Sequence, residues 1–267
     1  MTAVISAEWL KLRSVRSTHY IVGVAVLLIG GAALLSLARV TAWENLSAAT
    51  RADNTGGGTT EETILQFMQL LGGIVGVLAF TSEYATGLIR STFAVMPRRP
   101  TVLIAKAAVV AAGSALMATV VVFSSYGLSE LIVGDRMPAY EPSFTEQLPY
   151  LAALAGSVVV VSLLGLGLGA VLRSATGAIM ILVVLIFVAQ MVLLFLPAPW
   201  KHWIYSALPV ALPDQLTGVP PRTAEAPNGS AVPHTMLSIP GAWAFAVAIV
   251  VASLGAAWAA ISRRDVK

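Results

Sequence analysis

Charge is what this sequence lacks most. Of its 267 residues only 11% are Asp, Glu, Lys or Arg, less than half of the roughly one-quarter that covers the surface of a soluble domain. Cysteine is absent, which excludes disulfide frameworks, thiolate zinc sites and a cysteine nucleophile. His19, His202 and His234 are too scattered to suggest a metal cluster. Nowhere does the chain carry a Gly-x-x-x-x-Gly-Lys-Ser/Thr phosphate loop, a His-Glu-x-x-His zinc pair or a nucleophile turn centred on Ser within a span. It is therefore expected to catalyse no bond chemistry, to hold no cofactor or metal of its own, and to address no nucleic acid. With 57% hydrophobic residues and a mean hydropathy of +0.84, it reads as an integral membrane protein.

What the chain does have is long apolar runs. A bilayer-crossing helix needs about 20 mostly apolar residues. Six uncharged stretches qualify, at about 20–38, 63–81, 107–129, 150–172, 175–196 and 242–261. The expected fold is thus all-α, one transmembrane domain over residues 1–267. Two connections are longer than the rest, 39–62 and the Pro-rich 197–241. The apolar core of the first stretch outruns the 7–15 residues of a secretory signal, so it is read as a span.

Lys and Arg set the orientation. With the N-terminus inside, eleven basic residues fall on the cytoplasmic side (among them Lys11, Arg90, Arg98, Arg99, Lys106 and Arg173) and five outside. The acids mirror this: Glu8, Glu83 and Asp265 lie inside and the other ten outside. Both termini are expected in the cytoplasm and the protein in the plasma membrane. Residues 1–19 place Ile5, Trp9, Leu12 and Val15 at helical spacing among Lys11, Arg13 and Arg16, the pattern of an interfacial amphipathic helix. The abundance of Arg, Ala, Val and Gly points to a high-GC, actinobacterial type of genome.

Within the spans, ionisable residues are essentially missing, which disfavours a carrier driven by an ion gradient. Lys106 and Glu130 bracket the third span and are expected to snorkel to opposite interfaces. Gln190 is the most polar mid-span residue and reads as a helix–helix hydrogen bond, with a place on a transport pathway as the alternative. The pairs Gly72/Gly76 and Gly165/Gly169 have the four-residue spacing of close helix packing.

The segment "SEYATGLIRSTFAVMPRRPTVLIAK" (82–106) joins the second and third spans. Helical spacing groups Tyr84, Leu88, Thr92 and Val95 on one stripe, with Arg90 on the polar side. Glu83 is expected at the N-terminal, positive end of this short helix, and Pro97 and Pro100 end it. A basic amphipathic helix on the cytoplasmic face suits either docking of a soluble partner or anchorage to anionic lipid.

These residues resemble the signature of ABC-2-type transporter permeases of the bacterial drug- and lipid-exporter sort. The matches are Glu83, Tyr84, Gly87, Pro97, Arg98, Arg99 and Lys106; Leu88 stands where the family has Thr. The six-span layout and the long connection 197–241 are similar to that family too. The resemblance implies a permease that dimerises with a second copy or a paralogue and rests on a separate ATP-binding subunit, which holds the ATP and Mg. It makes 82–100 a coupling loop, with Glu83, Tyr84, Gly87, Arg90, Pro97, Arg98 and Arg99 the residues of ATPase coupling. It turns part of 197–241 into re-entrant half-helices and implies export of an amphipathic or hydrophobic substrate. Two other readings stand beside it: an ion-coupled carrier, and a non-transporting membrane scaffold or sensor.

Overall fold

The computed structural model describes residues 2–14, 16–47, 59–88, 99–137, 144–193, 195–218 and 237–263, and every regular element among them is helical. Six helices are long and apolar enough to cross a membrane, as befits a multi-pass membrane protein. They are α2 (Arg16–Glu44), α3 (Thr60–Thr86), α4 (Arg99–Val133), α5 (Phe144–Leu172), α6 (Ala175–Leu193) and α9 (Ile239–Arg263). A shorter α1 (Thr2–Ser14) precedes them. Between α6 and α9 lie α7 (Ala198–Ala207), a 3-10 turn (Pro209–Ala211) and α8 (Leu212–Thr217).

The helices overrun the apolar stretches because polar residues at their ends satisfy the backbone. Thr59 and Glu62 form a capping box that starts α3: the Thr59 hydroxyl accepts from the Glu62 amide, and the Glu62 carboxylate accepts from the Thr59 amide. Two orphan donors are thereby paired. At the other end Gly87 adopts φ 71 and its N–H donates to the Tyr84 carbonyl, the left-handed stop that glycine permits without steric cost.

This boundary corrects one expectation. Glu83 does not begin a separate helix; it sits in the last turn of α3, at the negative end of the helix dipole. The apolar run simply continues in helix through Thr86 before Gly87 ends it. Residues 89–98 of the segment expected as a coupling loop, with Arg90, Pro97 and Arg98, lie outside the described residues, as does the Arg99 side chain.

α3 and α5 form the centre of the bundle and share its most extensive contact. In their most apolar windows 61% and 67% of residues are buried, against 17% in α2 and 22% in α6 and α9. Lipid tails are as apolar as Leu, so close packing rather than water exclusion must hold such helices together. Glycine makes that possible here. A Cβ on Gly72 would lie 2.6 Å from Val158 Cγ1, and one on Gly169 would lie 2.8 Å from the Val77 carbonyl. On Gly76 and Gly165 it would run into the carbonyls of Ser162 and Gly73. Gly72 and Gly76 on α3 thus abut Val158 and Ser162 of α5, and Gly165 and Gly169 on α5 abut Gly73 and Val77 of α3, along one seam of close approach.

Two apolar clusters extend the seam. Met68, Val122, Leu151, Leu154 and Val158 join α3, α4 and α5 toward one end. Phe80, Leu103, Leu166, Ala257 and Ile261 bring in α9 at the other. Outward faces carry Leu27 and Leu34 of α2, Leu116 of α4, Met191 of α6 and Val251 of α9, all exposed, the surface that lipid covers.

The connection after α6 is not a plain loop. Pro209 opens the 3-10 turn and Pro213 falls in the first turn of α8, where a missing N–H costs nothing. Gly218 ends α8 at φ 70. The buried face of α8 sets Leu212 and Leu216 against Ala242 and Ala246 of α9. Residues 219–236 lie outside the described ones.

Candidate functional site: an ion cluster at the base of the 82–106 loop

Three helices bring four charges together where α3 ends. Lys106 of α4 donates to Glu8 Oε2 and to Glu83 Oε1, each at 2.6 Å. Lys11 of α1 donates to Glu8 Oε1 at 2.8 Å and to Glu83 Oε1 at 3.0 Å. The Lys106 side chain is 3% exposed, both carboxylates are 7% exposed, and Lys11 is 40% exposed. Two cations balance two anions, and the Lys106 ammonium also lies 5.4 Å from the centroid of the Phe80 ring. Burial pushes the Glu8 carboxyl up, but the Lys106 and Lys11 ammoniums more than offset this and hold it below its ordinary value. Burial likewise pulls Lys11 down, and its bonds to Glu8 and Glu83 raise it above the usual ammonium range.

Each helix contributes for a local reason. Glu8 and Lys11 are three apart on α1, so they share a face. That face turns inward, with Glu8 buried, whereas Ile5, Trp9 and Leu10 are exposed. In a soluble protein this would be inside out, whereas beside a bilayer exposed apolar side chains can meet lipid. α4 begins at Arg99, which carries Lys106 two turns into the helix and out of reach of water. The expected snorkelling of Lys106 is therefore corrected: with two carboxylates within 2.6 Å, the ammonium is held inside. Likewise the buried Glu83 and Lys106 amend the expectation that the spanning helices carry essentially no ionisable residues.

Around the cluster lie the other residues of the segment. Tyr84 stacks near Phe80, ring centroids 6.5 Å apart, and the Arg173 guanidinium stands 5.1 Å from the Tyr84 centroid. Arg173 occupies the α5–α6 junction at φ 54, an uncommon conformation for a residue with a side chain. Gly87 is exposed, with open space where a Cβ would stand.

Gln190 lies elsewhere, in α6 just past a π-helical turn over Val184–Val188. Its Oε1 accepts from Gln66 Nε2 of α3 at 3.0 Å, and its own amide nitrogen donates to the Ile186 carbonyl. The two glutamines thus bridge α3 and α6.

A second polar group sits at the opposite end. Asp214 of α8 accepts from the Tyr150 hydroxyl at Oδ1 and from the Tyr205 hydroxyl at Oδ2, each at 3.1 Å. Burial pushes its carboxyl up to about 6; the two tyrosine bonds pull it down and the Glu62 charge adds to the rise. Gln69 of α3 donates to Ser157 Oγ at 3.1 Å and to the Pro209 carbonyl at 2.8 Å, fixing the turn before α8. Nearby, Ser36 of α2 lies 3.0 Å from the Thr60 hydroxyl and 3.2 Å from that of Ser129.

Sequence reasoning marked Glu83 and Lys106 but not their partners Glu8 and Lys11. The available signal was the Glu8/Lys11 pair inside an otherwise basic amphipathic segment. It missed Asp214 as well, since a lone acid in a Pro-rich connection looks solvated. Among the described residues no group of three or more His, Cys, Asp or Glu is placed to hold a metal ion. No protein-family model matches the chain, and no curated protein matches it.

Proposed function

We propose that the chain is the permease subunit of an ATP-driven exporter of the ABC-2 type, paired with a second permease and with separate ATP-binding subunits. The reading rests on the resemblance of residues 82–106, and one observation gives that segment mechanical sense. Glu83 and Lys106 stand at the two ends of the loop and are bonded to each other, and both are tied to α1 through Glu8 and Lys11. A push on the loop would then move α1, α3 and α4 as one body. A connector serving only as a tether has no need of a buried four-charge base, which is costly to desolvate. In this reading α1 lies on the cytoplasmic leaflet of the plasma membrane, both termini are cytoplasmic, and α7 and α8 are half-helices turning back at the outer interface. The cargo is amphipathic or hydrophobic.

The test is Arg90→Glu, because Arg90 lies in the loop between the anchored ends. In the complex purified from the native host, the variant should insert normally and lose at least about tenfold of its stimulation of the ATPase, the scale of a lost charge-assisted contact. Wild-type stimulation by Arg90→Glu, or purification with no ATPase at all, would remove the reading.

One observation favours the ion-coupled alternative: Asp214 is a buried carboxylate with its proton held near pH 6. Proteoliposomes under an imposed pH gradient, without ATP, separate the two. Uptake or release driven by the gradient supports the carrier and counts against the exporter.

A further inference from the structure

One buried side chain joins α8 to helices on two sides. Asp214, 6% exposed, accepts from Tyr150 of α5 at Oδ1 and from Tyr205 of α7 at Oδ2. From α3 the Glu62 carboxylate approaches the same Tyr150 hydroxyl, and its charge bears on Asp214. α9 meets α8 with Ala242 and Ala246, which carry no charge. The ionisable groups that bear on Asp214 are thus Tyr150 of α5, Tyr205 of α7 and Glu62 of α3. Two carboxylates share one phenol, where in the ion cluster each carboxylate has an ammonium.

The trio is short of one proton. Tyr150 has a single O–H to give, and Asp214 takes it. Glu62 Oε2 accepts the Thr59 amide at 3.1 Å, while the phenol oxygen can still accept a hydrogen bond. One added proton completes a chain: a carboxyl O–H donates to the Tyr150 oxygen, and the Tyr150 O–H donates to the other carboxylate. It also turns two like charges into one, which favours proton uptake by the pair as a unit.

α8 is suited to respond. It has six residues, between a 3-10 turn and Gly218 at φ 70. A neutral bond holds it to α7, where Gln215 Nε2 donates to the Ser206 carbonyl at 2.8 Å. The tie through Asp214 to α5 and α3 is the one that titrates. We infer that Asp214, Tyr150 and Glu62 form a proton-operated latch: a proton shared by the two carboxylates fastens α8 to α3 and α5, and its release lets α8 move away from them. The latch goes beyond the exporter reading and does not depend on it.

The chain has no cysteine, so a single introduced thiol reports on α8. Leu216→Cys puts one on the face buried against Ala242 and Ala246. The full chain in maltoside micelles is labelled with a maleimide. At each pH its rate is divided by that of the same thiol in denatured protein, which removes the titration of the thiol itself. Asp214 is held near pH 6, so the corrected rate should rise about tenfold from pH 5 to 7.5, following the ionised fraction of such a group. Asp214→Asn and Glu62→Gln, each made in the Leu216→Cys chain, should flatten the profile. Glu62→Gln should hold it at the low acid rate, because the Gln amide supplies the missing donor. An unchanged profile in either variant, or a flat one in the parent, overturns the latch. A thiol at Val110, in the apolar cluster at the other end of the bundle, should label at a corrected rate independent of pH. An equal rise there would mean that the whole fold loosens, and would overturn the latch as well. If Leu216→Cys fails to fold, Thr217→Cys at the end of α8 gives the same readout. No ATPase enters this measurement, so its failure is distinct from failure of the exporter reading.

Discussion

Where α3 ends at Gly87, two buried carboxylates are matched by two ammoniums. Where α3 begins at Thr60, the buried carboxylate of Asp214 is held by two phenol hydroxyls instead. Both ends face the same difficulty, since a charge taken out of water must be paired or neutralised. The loop-bearing end pairs its charges. The other end shifts the proton equilibrium, so that Asp214 lies between charged and neutral near pH 6. The first arrangement is stiff, and its Glu8 and Lys11 keep their charges over a wide range of pH. The second is soft and can change state.

The largest effect should come from breaking the stiff end on one side. Lys106→Met would leave Glu8 and Glu83 buried with only the half-exposed Lys11 between them. Removing one partner of a buried ion pair costs about 3–5 kcal/mol, which thermal unfolding in detergent should register as a large loss. Glu83→Gln combined with Lys106→Met restores neutrality around the Glu8–Lys11 pair. The double variant should therefore be more stable than Lys106→Met alone. A double variant that is worse than the single would show that charge balance is not what holds this end.

The pH responses of the two ends should run in opposite directions. The Glu8 carboxyl is depressed below 4.5 and Lys11 is raised above 10.5. The stability they contribute is full from about pH 4.5 to 10.5 and falls away beyond either side. Asp214 is raised from 3.8 to about 6, so the folded state holds a proton that the unfolded chain releases in that interval. Its contribution is full below about pH 3.8 and lost as pH rises through about 6. The loss should amount to roughly 2–3 kcal/mol from the size of the shift. Comparing wild type with Asp214→Asn between pH 4.5 and 7.5 isolates this group, since the substitution leaves every other titrating residue in place. The wild type should lose stability relative to the variant as pH rises. Parallel curves would mean that Asp214 does not titrate in this window.

The six spanning helices were legible because uncharged runs of this length admit almost no other fold. Their ends were not. α3 reaches back to Thr60 through its capping box and forward to Thr86, and both extensions pass through residues that hydropathy scores as loop. Pro209 stands at the break between α7 and α8, whereas Pro213 lies inside the first turn of α8. The ion cluster was half legible. Glu83 and Lys106 are 23 residues apart in one quoted segment, but Lys106 and Glu8 are 98 apart, and no local spacing rule spans that distance. Only the packing of α1 onto α4 brings them together. Asp214 was hidden for a related reason: its burial is decided by α5 and α9, not by its neighbours in sequence.

The smallest effect expected distinguishes charge from polarity at the soft end. Ser36 is fully buried, yet its hydroxyl faces three oxygens: the Ala32 carbonyl at 3.0 Å, Thr60 Oγ1 at 3.0 Å and Ser129 Oγ at 3.2 Å. One hydroxyl proton serves one of these at a time, and Thr60 has a further donor in Arg39 Nη1 at 3.4 Å. Ser36→Ala therefore strands no charge and leaves Thr60 and Ser129 free to turn their protons to other acceptors. Hydrogen bonds between membrane helices are worth about 0.6 kcal/mol on average and about 1.7 at most, so the variant should unfold within about 1–2 kcal/mol of wild type. A loss as large as that of Lys106→Met would mean that the hydroxyl cluster holds α2, α3 and α4 as firmly as the ions hold α1, α3 and α4, and the contrast between the two ends would not stand.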